Sequence, residues 1–361
     1  MKKNKLLKAA VCTAATLGAI YGINRLVNKM AVDGNHLNAD PEDFYHWSNG
    51  KVYLKKKGEG KPLLLVHDLN PMASAKEWER VFGELSKTHT VYEIDLPGCG
   101  RSDKKELPYV AFFYVQLIQS VLENVIREKT DIAVTGASAP LILSAAAYDS
   151  SMIDKLIMVN PYEVNDCKDI LGCKDKAIKG LYEIPLFGTL FYNIKTSRMR
   201  VNALLSNEVL YNPFNASTEL IDTCYESAHL GEGAGRYLMG ALEAGYLGVN
   251  TEAALSNIAN EILVVFGESN LDKEDMAEKL LSVRDDIKLV SIDKSLLLPQ
   301  IEEPEKFADI ALKFLAGEEV EEYEAEEEEE ANEETADEKA EEVSDIEDAP
   351  MEDVSEDETE E

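Results

Sequence analysis

Histidine is scarce in this 361-residue chain: there are five, His36, His46, His67, His89 and His229, and residues 230–361 contain none. Chemistry that needs an imidazole must therefore draw on the earlier part of the chain. Cysteine is as sparse, with Cys12, Cys99, Cys167, Cys173 and Cys224. None of them has neighbouring histidines at zinc-site spacing, which argues against a structural zinc. Cys167 and Cys173 are close enough to bridge, but no spacing demands it. The acidic residues 318–361 show no oxygen-ligand spacing of a calcium loop, and neither a metal nor a cofactor is expected. A basic stripe is missing too: 36 lysines and arginines face 69 acidic residues, a net charge of −33. Nucleic acid is excluded as a partner on that balance.

The acidity is unevenly spread. Residues 318–361 hold 26 acidic side chains and a single lysine, leaving only −8 for the rest. Such a segment has too little apolar content to offset chain entropy and repels itself, so 318–361 is expected to be a disordered acidic tail with an unknown partner.

The opposite end reads differently. Lys2, Lys3, Lys5 and Lys8 precede an uncharged run over residues 9–23, followed by Arg25 and Lys29. Helix over residues 6–27 spans about 33 Å, enough for a bilayer core if Lys8 and Arg25 snorkel. No small-x-small cleavage pattern follows, so residues 1–30 are expected to be a retained membrane anchor. The lysine excess before the run puts the N-terminus inside and the folded part on the outer face of the cytoplasmic membrane. An amphipathic helix lying on the membrane or on the domain is the alternative.

Between these ends, strands and helices alternate. Residues 51–55, 62–67, 90–95, 131–135 and 156–160 read as strands, with helical periodicity over 74–86 and at Tyr114, Leu117, Ile118, Val121, Leu122 and Val125. After residue 258 the pattern resumes with strands at 262–266 and 287–292. A closing helix follows, with Pro304 in its first turn and Gly317 past its end. This order predicts an α/β fold: a mostly parallel sheet covered by helices on both faces. The alternation stops over residues 162–258, which read as a helical lid inserted between core parts 45–161 and 259–317.

Three segments carry a resemblance. Leu63-Leu64-Leu65-Val66-His67-Asp68 ends a buried strand; Asp95-Leu96-Pro97-Gly98-Cys99-Gly100-Arg101-Ser102 forms a turn-rich loop; Thr135-Gly136-Ala137-Ser138-Ala139-Pro140 joins a strand to a small-residue helix. Together they resemble lid-bearing bacterial members of the α/β-hydrolase superfamily. The resemblance implies Ser138 at the nucleophile position, with oxyanion donors from the amides of Leu69 or Asn70 and of Ala139. Asp68 replaces the family's glycine, placing a carboxylate near that anion site. The acid is expected at the fourth residue of Gly267-Glu268-Ser269-Asn270, where Asn270 stands, and the histidine falls on Leu297. Leucine cannot accept a proton, which leaves His229 in the lid as the only stand-in base. The lid aromatics Phe187, Phe191, Tyr192 and Phe214 are candidates for an acyl pocket or for packing.

Two functions follow from the resemblance. One is a membrane-tethered serine hydrolase acting on a small apolar ester or lipid-like substrate, with its usual acid and histidine replaced. The other is a non-catalytic protein of the same fold that serves as a binding or scaffold module.

Overall fold

Pairing decides the strands, because their apolar runs leave nothing polar for solvent. In the computed structural model, which describes residues 2–163 and 171–321, eight strands form one sheet. They are β1 (Phe44–Trp47), β2 (Gly50–Lys57), β3 (Lys61–Val66), β4 (His89–Ile94), β5 (Thr130–Thr135), β6 (Ile153–Val159), β7 (Ile262–Gly267) and β8 (Lys288–Ile292). Their order is β1-β2-β4-β3-β5-β6-β7-β8. The β1–β2 and β2–β4 pairs are antiparallel and the rest are parallel. The edge strand β1 is absent from the sequence reading above; its hairpin with β2 turns at Gly50, whose φ of +152° suits glycine.

Every residue of β5 and of β7 is buried, as strands covered on both faces require. Alternation along the pleat then sorts their side chains into two cores. Leu64, Val66, Ile132, Val134, Met158, Val264 and Phe266 face one side, and Leu63, Leu65, Ala133, Ile157, Val159 and Val265 the other. The first core is closed by α3 (Ala111–Val121), α4 (Ala139–Tyr148) and α11 (Lys273–Val283), the second by α2 (Glu79–Leu85) and α13 (Pro304–Ala316). The expected mostly parallel sheet with helices on both faces is thus present.

The insertion between β6 and β7 contains α5 (Cys173–Glu183), α6 (Phe187–Lys195), α7 (Arg198–Leu204), α8 (Thr218–His229), α9 (Arg236–Glu243) and α10 (Thr251–Ser256). Its last helix, α10, packs through Ala254 and Leu255 into the core shared with α4. The short α12 (Pro299–Glu302) ties the rest down: the Glu302 carboxylate accepts from the amides of Tyr211 and Asn212 in the insertion and of Leu296 before α12. The N-terminal helix α1 (Lys2–Ala31) buries Ile20, Asn24, Asn28 and Ala31, one helical face, against α6 and α8. Residues 10–31 are long and apolar enough to cross a membrane. Cys167 and nearly all of the acidic tail, from residue 322 onward, lie outside the described residues, while Cys12, Cys99, Cys173 and Cys224 are free thiols.

Candidate functional site

The carboxyl ends of β3, β5 and β6 open into a cavity of about 280 Å³ beneath the insertion. Its floor is polar, with Asp68, Glu77, Gly136, Asn160 and Tyr162, and its roof is aliphatic, with Val201, Leu204, Leu205, Val209 and Leu220. Leu297 closes one side. The aromatics that were candidates for an acyl pocket or for packing do not line it. Phe214 is 93% exposed, Phe187 is half exposed, and Tyr192 is buried with its hydroxyl donating to the Ala228 carbonyl at 2.7 Å.

The junction of β5 with α4 sets the floor. Thr135 is the last residue paired with β6, opposite Val159, and the chain then reverses at Gly136 with φ +57°. That left-handed backbone favours glycine, and a second constraint demands it: a Cβ at Gly136 would lie 2.4 Å from Asp68 Oδ1 and 2.9 Å from Tyr162 Cε1. The next amide, Ala137 N–H, donates to Asp68 Oδ1 at 2.8 Å, and Tyr162 Oη donates to the same carboxylate at 3.2 Å. Asp68 N–H in turn donates to Glu77 Oε2 at 3.0 Å.

These contacts work against burial. Desolvation pushes the Asp68 carboxyl up to about 6, although the Ala137 and Leu69 amides and the Tyr162 hydroxyl pull the other way. Burial, then the neighbouring Asp68 charge, pushes Glu77 well above the usual carboxylate range. His67 is also buried. Its Nε2 accepts from Leu96 N–H at 2.9 Å, so Nδ1 carries the proton and donates to the Asp68 carbonyl at 2.6 Å. Desolvation lowers its pKa to about 4, which keeps the ring neutral. This histidine positions the loop after β3.

The residues singled out from sequence distribute unevenly. Ser138, expected at the nucleophile position, lies two residues beyond the left-handed turn at Gly136, in ordinary helical backbone with φ −76° and ψ −20°. It is fully buried, and its Oγ donates to the His67 carbonyl at 2.7 Å. Ala139 N–H, expected as an oxyanion donor, donates to the Gly136 carbonyl within the turn. Asn70 N–H is likewise engaged, with the Asp68 carbonyl at 3.0 Å. Leu69 N–H faces the Asp68 carboxylate.

Asn270 and Leu297 meet at one corner through Asn160, a residue with φ +40° at the end of β6. Asn160 Oδ1 accepts from Asn270 Nδ2 at 2.9 Å, and its Nδ2 donates to the carbonyls of Leu296 and Leu297. His229 lies elsewhere, lining a different cavity beside α1, with Nδ1 bonded to the Tyr225 carbonyl at 2.7 Å. The idea that it hangs over Ser138 is corrected by that placement, because the turn at the end of α8 directs the ring toward α1.

No protein-family model matches the chain, and no curated protein sequence does. Solved structures do. A meta-cleavage product hydrolase from Pseudomonas fluorescens is similar with a TM-score of 0.62 at 19% identity, over 76% of this chain and 97% of its own. A carboxylesterase from Bacillus subtilis gives 0.61 at 15% identity, covering 81% and 97%. A bacterial membrane phospholipase A gives 0.59 at 17% identity, covering 87% and 98%. The chain has the α/β-hydrolase fold.

In an α/β-hydrolase the strained residue between strand and helix carries the nucleophile, and the amide after it helps hold the oxyanion. Reading Gly-x-Ser as the motif selected Ser138, whereas the backbone strain lies at Gly136. Glu77 and Tyr162 were not singled out at all. Asp68 was, and its exchange for glycine beside the first core strand is the one sequence signal that pointed at this corner.

Proposed function

We propose that this protein is a non-catalytic member of the α/β-hydrolase fold, held at a membrane by α1, whose interlayer cavity binds a small and mainly apolar ligand. One observation carries the reading: the Asp68 carboxylate takes the Ala137 amide at 2.8 Å and faces the Leu69 amide. Those two amides follow the strained residue and the first core strand, the positions that hold a developing oxyanion in this fold. An anion forming there would have to displace a carboxylate already bound. Gly136 offers no side chain to attack with. Asn270 and Leu297, at the acid and histidine positions, supply neither a carboxylate nor a base. The aliphatic roof over a small polar floor suits a ligand with an apolar body and one polar end.

The alternative, a serine ester or lipid hydrolase using Ser138 and His229, requires both side chains to abandon their present partners. A fluorophosphonate probe separates the two readings. The full-length protein in uncharged detergent is expected to show no labelling above that of Ser138→Ala, together with saturable binding of an uncharged fluorescent long-chain alcohol. Leu205→Trp, which fills the roof, should weaken that binding at least tenfold. Labelling that depends on Ser138, accompanied by ester turnover, would overturn the proposal.

A further inference from the structure

A second cavity, of about 410 Å³, lies where α1 meets the insertion. Its α1 wall carries Asn24, Arg25, Asn28 and Lys29, and the facing wall carries His229 and Glu232. The α1 side is firmly fixed. Asn24 Nδ2 donates to the Leu186 carbonyl at 2.9 Å, and Asn193 Nδ2 donates to Asn24 Oδ1 at 3.3 Å.

The wall contains polar atoms that lack a use. His229 is 1% exposed, and its Nε2 has no partner among the described residues. Because Nδ1 faces the Tyr225 carbonyl, which only accepts, Nδ1 holds the proton and Nε2 presents a lone pair. Burial lowers the ring's pKa to about 4, so that lone pair persists at neutral pH. Asn28 is 7% exposed and its Oδ1 is also unpartnered. Buried acceptors without donors are costly, so such a pair calls for a ligand carrying hydroxyl or ammonium hydrogens. Arg25 and Lys29 add two positive charges against the single carboxylate of Glu232.

The position along α1 matters equally. Lys8 and Arg25 are separated by about 26 Å of helix, close to the thickness of a bilayer's hydrocarbon layer. With α1 across the membrane, Arg25 and Lys29 stand at the level of lipid phosphates. We propose that this cavity holds a phospholipid headgroup, with its phosphate between Arg25 and Lys29 and its hydroxyl or ammonium donor reaching His229 and Asn28. The inference rests on the reading of α1 as an anchor.

The test titrates full-length protein in an uncharged maltoside detergent with dihexanoyl phosphatidylglycerol, with dihexanoylglycerol, and with inorganic phosphate. Saturable binding of the phospholipid is expected, with none of the diacylglycerol and at least tenfold weaker binding of phosphate. The double variant Arg25→Gln/Lys29→Gln should bind at least tenfold more weakly, and Glu232→Gln should bind more tightly, both with unchanged melting temperature. Affinity unaltered in both variants, or phosphate binding as tight as the phospholipid, would overturn the site. If the double variant misfolds, Glu232→Gln alone decides, because a purely structural carboxylate would not raise affinity when neutralised. Carbonate extraction of membranes reads the anchor separately: release of the protein with phospholipid binding intact sinks the anchor, and retention without binding sinks the site.

Discussion

Asp68 and Asp95 follow neighbouring strands, β3 and β4, and the contrast between them shows how one side-chain type acquires two roles. At Asp95 burial works to raise the pKa, yet the Arg101 charge and hydrogen bonds hold it below the usual carboxylate range. The pair is bidentate, with Arg101 Nε and Nη2 at 2.6 and 3.0 Å, and the guanidinium lies 3.4 Å above the Tyr53 ring. Asp95 also accepts from Ala75 N–H at 2.7 Å, riveting the start of the helix after β3 to the loop after β4. Among the described residues Asp68 has amides and a phenol but no facing arginine, and burial leaves its carboxyl near pH 6. A buried carboxylate with its own cation is structural; one without a cation responds to whatever enters the cavity beside it.

Breaking the rivet should have the largest effect. Asp95→Ala strands a buried guanidinium and is expected to cost about 3–5 kcal/mol in denaturant unfolding. A loss no greater than that of Asp68→Ala would erase the contrast. Next comes the elbow. Gly136→Ser places a Cβ against Asp68 in left-handed backbone and should cost about 1–3 kcal/mol. Adding Asp68→Gly should recover part of this, with a coupling above about 0.5 kcal/mol in the double-mutant cycle. Additive effects would mean that the carboxylate does not occupy the elbow.

The pH dependence sharpens the comparison. A carboxyl raised to about 6 in the folded protein, against roughly 3.9 unfolded, makes the folded state bind more protons between those values. The Asp68 contribution to stability is therefore full below pH 4 and declines as pH rises through 6, by about 2–3 kcal/mol. Unfolding of wild type and Asp68→Asn across pH 4–7 should reveal a difference of that sign, and a difference rising with pH would reverse the assignment. Least affected should be Ser138→Ala. Losing its bond to the His67 carbonyl is expected to cost about 0.5–1.5 kcal/mol by thermal unfolding, with fluorophosphonate labelling unchanged.

The strands were legible because burial on both faces requires uninterrupted apolar runs such as Ile262-Leu263-Val264-Val265-Phe266. The short β1 was not: its four residues depend on pairing with β2 and on contacts with α3, such as Trp47 against Phe113, that only the fold brings together. Asn270 and Leu297 came from the family resemblance; both bond to Asn160, a residue that carries no local signal. Glu77 was hidden for the same reason, since its role depends on the amide of Asp68 across the sheet end.

Sequence alone determined the alternating α/β core, the helical insertion, an apolar N-terminal helix and the want of an imidazole after residue 229, because composition and periodicity act along the chain. Tertiary structure decided which residue of Gly136-Ala137-Ser138 takes the strained turn. The ladder ends where Thr135 faces Val159, and the first residue beyond it must reverse. It also decided that a carboxylate 69 positions away fills the amide beside that turn, and that His229 faces α1 instead of the sheet. Such outcomes depend on distances through space, which no spacing along the chain encodes.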